Sequence, residues 1–333
     1  MTTNEHTPSD LQQPEGKHGS EAGHEAEHGH GHGHGHGHGH GHGHGHEDDL
    51  DWAELGPQLE RGAEVSMAWI DQAIAWLGDL LADTPVRRVL DIGSGPGVTT
   101  CRLAEAFPQA EVVAVDGEPA LLERVHARAA HTGTAARVRT HQADLATDLA
   151  PLGDADLIWT SHVLHHLGDQ QSGVTRLAAR LRPDGLLAVA EGGLPHRYLP
   201  RNLGFGRPGL EARLDAHMEA WFADLRAGLP DATEIIDDWP TMLTTAALHT
   251  PQSRTFLAET RPPIDAQSRA HIHHAFTRSR EILATRLPPD DIATLDHLLD
   301  ESSPESLHHR GDLQILDART LHTARAAPRP HPA

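Results

Sequence analysis

The chain has 333 residues, with 48 acidic against 27 basic side chains and a formal charge of −21 when histidine is neutral. Charge of that sign disfavours nucleic acid and anionic membrane as partners, and the single cysteine, Cys101, excludes an intrachain disulfide. Protonating all 30 histidines would carry the charge from −21 to +9, so it changes steeply around the histidine range near pH ~6.5.

Residues 1–50 are rich in Glu, Gly and His and nearly free of large apolar side chains, which predicts a disordered tail. Within it His28, His30, His32, His34, His36, His38, His40, His42, His44 and His46 alternate strictly with glycine. Neutral imidazoles on a flexible chain suit nickel or zinc, so these ten are candidate metal ligands apart from any catalysis. A low-complexity expansion without a role, or an expression tag, are the competing readings. The start of the chain lacks a signal-peptide layout, and no apolar run approaches the ~18 residues of a membrane span. The expectation is a soluble, cytoplasmic protein.

Residues 57–82 read as helix, because Ile70, Ala73, Ile74, Leu77, Leu80 and Leu81 recur at helical spacing. Trp69 and Trp76 share a side of it. The organising stretch follows: Val89, Leu90, Asp91 and Ile92, then glycine at 93, 95 and 97. Apolar residues leading into an acid and then a glycine-rich bend are what a buried strand turning sharply into a helix requires. Strand 88–92 is expected, then a helix over 98–106 that stops at Pro108.

A second apolar run, 111–115, ends in Asp116, and a helix starts at Pro119 and ends near Gly133. A third strand begins at Val138 and leads to Asp144 and Leu145. The fourth covers 155–161 and runs into His162, Val163, Leu164, His165 and His166. A helix over about 169–181, a turn at 181–185 and a strand over 186–190 complete the alternation. Such alternation predicts a parallel sheet covered on both faces, with the ends of the first four strands along one crevice.

After Glu191 the alternation lapses. Residues 192–209 are rich in Gly, Pro and Arg, and 210–228 look helical, which reads as a cap over the strand ends. Arg197, Arg201, Arg207 and Arg213 either make that cap electropositive, suiting an acidic or phenolate substrate, or are solvated surface groups. A short helix at 239–248, a strand at 254–259, a helical excursion over 264–299 broken at Pro288 and Pro289, and a last strand at 313–323 follow. Residues 327–333 read as a loose tail.

The segments DIGSGPG at 91–97, VVAVD at 112–116, HQADL at 141–145, ADLIWTSHVLHHL at 155–167 and LRPDGLL at 181–187 resemble, in order and spacing, the class I S-adenosylmethionine-dependent methyltransferases of the small-molecule kind. The resemblance implies a Rossmann-like α/β fold with a seven-stranded, mostly parallel sheet, helices on both faces and helical cap insertions. The last two strands would form an antiparallel edge pair. It divides 51–326 into an N-terminal helical segment (51–84), a cofactor-binding core (85–191), a cap insertion (192–232) and the remaining sheet with its helical excursion (233–326).

Carried over residue by residue, Gly93, Ser94 and Gly95 would line the methionine part of the cofactor, and Asp91 would anchor its ammonium. Asp116 would hold the ribose, with Gly117 beside the adenine. Asp144 would accept from the adenine amino group, Leu145 would pack on the ring, and Ser161 would contact the methionyl group. His162, favoured by its strand-end position, and His166 are the candidate bases. The implied function is methyl transfer to oxygen, nitrogen or carbon of a small molecule by in-line displacement. Two alternatives stand beside it: a histidine-rich metal-binding or S-adenosylmethionine-sensing protein without turnover, and an NAD-dependent oxidoreductase. The second is disfavoured because a dinucleotide turn wants its third glycine at the sixth position, where Val98 stands. Oligomeric state and the acceptor are not legible.

Overall fold

The computed structural model describes residues 52–145 and 149–328. The ten tail histidines, the expected disordered segment that holds them and residues 329–333 of the C-terminal tail lie outside the described residues.

Seven strands form one sheet: β1 (Arg88–Ile92), β2 (Glu111–Asp116), β3 (Val138–Gln142), β4 (Ala155–Ser161), β5 (Leu181–Arg197), β6 (His249–Thr260) and β7 (Ile315–Arg325). Their spatial order is β3-β2-β1-β4-β5-β7-β6. The first five run parallel, and β7 lies antiparallel between β5 and β6. The expected edge pair is therefore present, with the last strand inside and the sixth strand at the rim.

Helices α1 (Trp52–Val65), α2 (Met67–Leu80), α3 (Val98–Ala106), α4 (Pro119–His131), α5 (Gln170–Ala178), α6 (Leu210–Ala227), α7 (Trp239–Thr245), α8 (Ala266–Ile282) and α9 (Pro289–Leu299) complete the described structure. The single helix expected over 57–82 is two helices that meet at Ser66. Apolar residues alternate across the central strands, as a sheet covered on both faces requires. Val89, Val112, Leu157, Trp159 and Ala188 pack with α2, α3 and α4. Leu90, Ile92, Val113, Ile158 and Leu187 pack with α5 and α7 on the other face. Trp69 of α2 is 2% exposed and stacks on Trp159 of β4, ring centroids 6.2 Å apart, so this tryptophan fixes the helix to the sheet.

Two expectations need correction. The fifth strand does not end at residue 190: it runs from Leu181 to Arg197. The pairing with β4 slips between Leu181 and Leu186, where a turn was expected, and that with β7 between Ala190 and Gly193, so the glycine pair that reads as a breaker is a bulge. The cap arginines also follow neither reading as a set: Arg201 is exposed and in no ion pair among the described residues, whereas the other three are paired. Arg197 pairs with Asp215 at 2.6 Å, and Arg207 and Arg213 both pair at 2.8 Å with Asp291, which is fully buried. Helices α6, α8 and α9 close their own core, which includes Tyr198, Leu214, Ile272, Phe276, Leu295 and Leu298.

Candidate active site

Strands β3, β2, β1 and β4 stand side by side, so the residues just beyond their C-terminal ends line one edge of the sheet. Asp91, Gly93, Ser94 and Gly95 come from the end of β1, Asp116 and Gly117 from β2, Asp144 and Leu145 from beyond β3, and Ser161 and His162 from β4. The sequence-predicted cofactor residues are thus gathered at one place.

Asp91 is 2% exposed and accepts a 2.6 Å hydrogen bond from the Thr100 hydroxyl on α3. Burial pushes its carboxyl up to about 7, with the nearby Asp116 charge acting in the same direction and Thr100 against it. A buried acid of this kind favours a cation against it. The bend that follows is tied to β2: the amides of Gly93 and Ser94 donate to Val115 O at 2.8 and 3.0 Å. The amide of Gly95 donates to Asp116 Oδ2 at 2.8 Å. Asp116 Oδ1 accepts from the Glu118 amide at 3.1 Å. Burial outweighs these amide bonds and raises the Asp116 carboxyl above its ordinary range.

Gly95 has φ +53°, and a Cβ built there would meet no atom within 4 Å, so the bend presents bare backbone to open space. Beside it, the buried Ser94 hydroxyl has no hydrogen-bond partner among the described residues. An open cradle, an unsatisfied hydroxyl and a carboxyl in want of a cation fit the aminoacyl end of S-adenosylmethionine. Asp116, with lone pairs beyond the two it spends on amides, fits a ribose diol. Asp144 is exposed and Leu145 buried where β3 gives way to loop.

His162 follows β4 with φ +56°, an uncommon conformation for a residue with a Cβ. Its amide donates to Ala190 O at 3.1 Å, and its Nδ1 lies 3.0 Å from the Ser161 hydroxyl. The residue is exposed, but the protein crowded around its ring, with the Arg319 charge, holds the imidazole down to about 4. It is neutral at pH 7. The one-turn 3-10 helix Leu164–His166 comes next, and its ring contacts run from His162 to His165 at 6.3 Å and on to His166 at 4.3 Å. His166 stands at the far end of that row. Burial, with the adjacent His165 charge, lowers its imidazole too.

Sequence reasoning missed the groups that brace this loop. Glu191 on β5 is 3% exposed and accepts from the amides of Val163 and Leu164 and from His165 Nδ1, each at 2.9 Å. Burial pulls its carboxyl up, but the His165 bond and charge prevail and leave it below the ordinary range. An acid ending the apolar run Leu186 to Ala190 was the available signal, the same one that marks Asp91 and Asp116.

Also unforeseen is a wall where β5 and β7 continue past the tip of β4. Asp317 on β7 is 2% exposed, with His196 Nε2 at 3.3 Å and Arg319 Nε at 3.0 Å. His196 stacks on Tyr198 at 5.5 Å, and the Tyr198 hydroxyl reaches His271 of α8 at 3.2 Å. A cavity of about 220 Å³ adjoins His196, Tyr198, Leu214 and Phe276. Among the described residues no cluster of His, Cys, Asp or Glu could hold a metal ion, and no helix is long and apolar enough to cross a membrane.

Residues 90–187 match the methyltransferase domain family. The trans-aconitate 2-methyltransferase of Methylobacterium radiotolerans is 34% identical over 224 residues, covering 60% of this chain and 81% of that relative. The protein of the same name from Methylobacterium nodulans is 32% identical over 190 residues, or 53% of this chain and 69% of that relative. A solved S-adenosylmethionine-dependent methyltransferase from Geobacter sulfurreducens, in complex with S-adenosyl-L-homocysteine, is 16% identical, with a TM-score of 0.42 over 78% of this chain and 91% of that one. By its sequence relationship the chain belongs to the class I S-adenosylmethionine-dependent methyltransferases. It transfers a methyl group from that cofactor to a small molecule, and the NAD-dependent alternative is set aside.

Proposed function

We propose that the acceptor is a small carboxylic acid and the product its methyl ester. The observation that carries this is the relationship to the Methylobacterium radiotolerans enzyme, which spans 81% of that relative's length and whose name specifies trans-aconitate. Arg319 and His196, standing past the tip of β4, support it from the side of the site.

The chemistry the cofactor supplies is a methyl group activated on a sulfonium: an O–CH3 bond forms as the S–CH3 bond breaks, and the electron pair stays on sulfur. A carboxylate is already ionised above pH ~4, so no base has to remove a proton. The chain's task is then to bind and align, and alignment in a dry site can contribute several kcal/mol, up to about ten. Asp91, Gly93, Ser94 and Gly95 hold the methionine end, Asp116 and Gly117 the ribose and its surroundings, Asp144 and Leu145 the adenine, and Ser161 the methionyl group. His162, with Nδ1 accepting from Ser161, presents its Nε2 hydrogen to the acceptor and is a hydrogen-bond donor in place of a base. His166 has no proton to take in this reading.

The ten tail histidines are read as a nickel- or zinc-binding appendage apart from the chemistry, and the acidic chain as a cytoplasmic protein without nucleic-acid or membrane partners. The test of the acceptor is incubation with trans-aconitate and methyl-labelled S-adenosylmethionine between pH 5.5 and 8.5. Ester formation with kcat nearly flat in pH, and retained in His162→Gln within about tenfold, is expected. Transfer only to phenols or amines, with kcat lost as a base protonates, would return His162 or His166 to the role of base. A protein that binds the cofactor and modifies nothing would be a sensor.

A further inference from the structure

The wall carries a cation placed to select the acceptor. Ser161 of β4, Ala190 of β5 and Leu321 of β7 lie in one cross-strand row. Arg319 is one pleat further along β7, on the face that Leu321 presents to Trp69 and Trp159. Ser161, two residues beyond Trp159, shares that face. At ~4.8 Å between strands and ~3.4 Å per residue, the Arg319 backbone stands about 10 Å across and about 7 Å beyond Ser161. The Arg319 charge acts on His162, the residue after Ser161, and helps hold its imidazole down, so the two are electrostatic neighbours across the tip of β4.

The guanidinium is held from below and from one side. Its Nε is 3.0 Å from the buried Asp317, and its Nη2 lies 3.2 and 3.1 Å from Nδ1 and Nε2 of His196, donating to whichever ring nitrogen carries no hydrogen. Nη1 has no hydrogen-bond partner among the described residues. Neither Asp317 oxygen receives a well-directed hydrogen bond, although Oδ1 lies 3.0 Å from Arg319 Nε and Oδ2 lies 3.3 Å from His196 Nε2. The pair is thus held by charge more than by hydrogen-bond geometry, which leaves the planar fork an edge for a ligand. Arg197, Arg207 and Arg213 also pair with carboxylates, but away from the tip of β4, with Asp215 of α6 and Asp291 of α9.

We propose that Arg319 is a specificity-determining residue that binds a second carboxylate of the acceptor, remote from the one methylated, and that Asp317 and His196 are its positioning residues. This rests on the carboxylate-acceptor reading and sharpens it: the substrate class becomes dicarboxylic and tricarboxylic acids, with monocarboxylates discriminated against.

The test uses the full chain with S-adenosylhomocysteine bound, titrated calorimetrically with trans-aconitate and with crotonate, a monocarboxylate, alongside methyl-transfer kinetics. The wild type is expected to bind trans-aconitate about 10- to 100-fold more tightly than crotonate. Arg319→Gln is expected to bind S-adenosylhomocysteine normally, lose that preference, and raise KM for trans-aconitate by a similar factor with kcat changed less than about threefold. Because Arg319→Gln leaves Asp317 buried and uncompensated, Asp317→Asn/Arg319→Gln, which removes both charges together, decides the matter if the single variant unfolds. Variants that keep the wild-type preference overturn the role of Arg319 alone. A wild type that binds and methylates neither acid overturns the carboxylate reading and the anchor with it.

Discussion

Asp91 keeps its proton up to about pH 7 in the folded chain, because burial opposes its charge, whereas its ordinary value is 3.8. The folded state therefore holds the extra proton between those values, and on this group's account the free protein loses stability as pH rises through that window. An α-ammonium against the carboxyl favours the ionised form and offsets the cost. S-adenosylhomocysteine carries that ammonium, so its affinity is expected to rise from pH 5.5 to about 7 and to level off above. Asp91→Asn should weaken binding by about 10- to 100-fold and flatten the pH dependence. A wild-type affinity that is flat across this range would contradict the assignment. Strand-end acids such as Asp91 and Asp116 are legible in sequence because each follows an apolar run at a fixed offset. The Asp317–His196–Arg319 group is not, since His196 lies far along the chain from its partners and only the β5–β7 pairing brings it to them.

Three elements were legible to the residue: β1, α3 and β4 begin and end where apolar run, glycine bend and acid place them. The sequence under-reads the element on which the proposed acceptor wall is built. Local propensity ends β5 at its glycines, but β7 is there to accept the pairing, and tertiary context overrides the local signal. At Gly193, φ is +117° and a built Cβ would fall 2.2 Å from Ala318 O, so β7 approaches too closely for any side chain. Gly193→Val is expected to cost about 1–3 kcal/mol of stability and to weaken acceptor binding. Cofactor binding, which depends on β1 and β2, should be unchanged within about twofold. Equal loss of both affinities would show that the wall and the cofactor edge are one cooperative unit. The pairing of the cap arginines is not legible for the same reason as the wall: Arg213 and its partner Asp291 are 78 residues apart.

On the scale of the whole molecule, a sheet with two packed faces supports a cofactor edge, while a separate core in α6, α8 and α9 supports the wall and its cavity. The net charge of −21 is carried without a basic surface run, and the cations of the cap are largely spent on internal carboxylates. The proposed acidic acceptor would be selected by local placement against an unfavourable overall field, so association with it is expected to be slow and to quicken with added salt. The central claim is that the cofactor is gripped where β1 and β2 end. Calorimetric titration of S-adenosylhomocysteine into the wild type and into Asp116→Ala at pH 7.5 tests it directly. One site per chain, with affinity reduced at least tenfold in the variant while its melting curve stays cooperative, is the expected result. Undiminished binding by a folded Asp116→Ala protein would contradict the account.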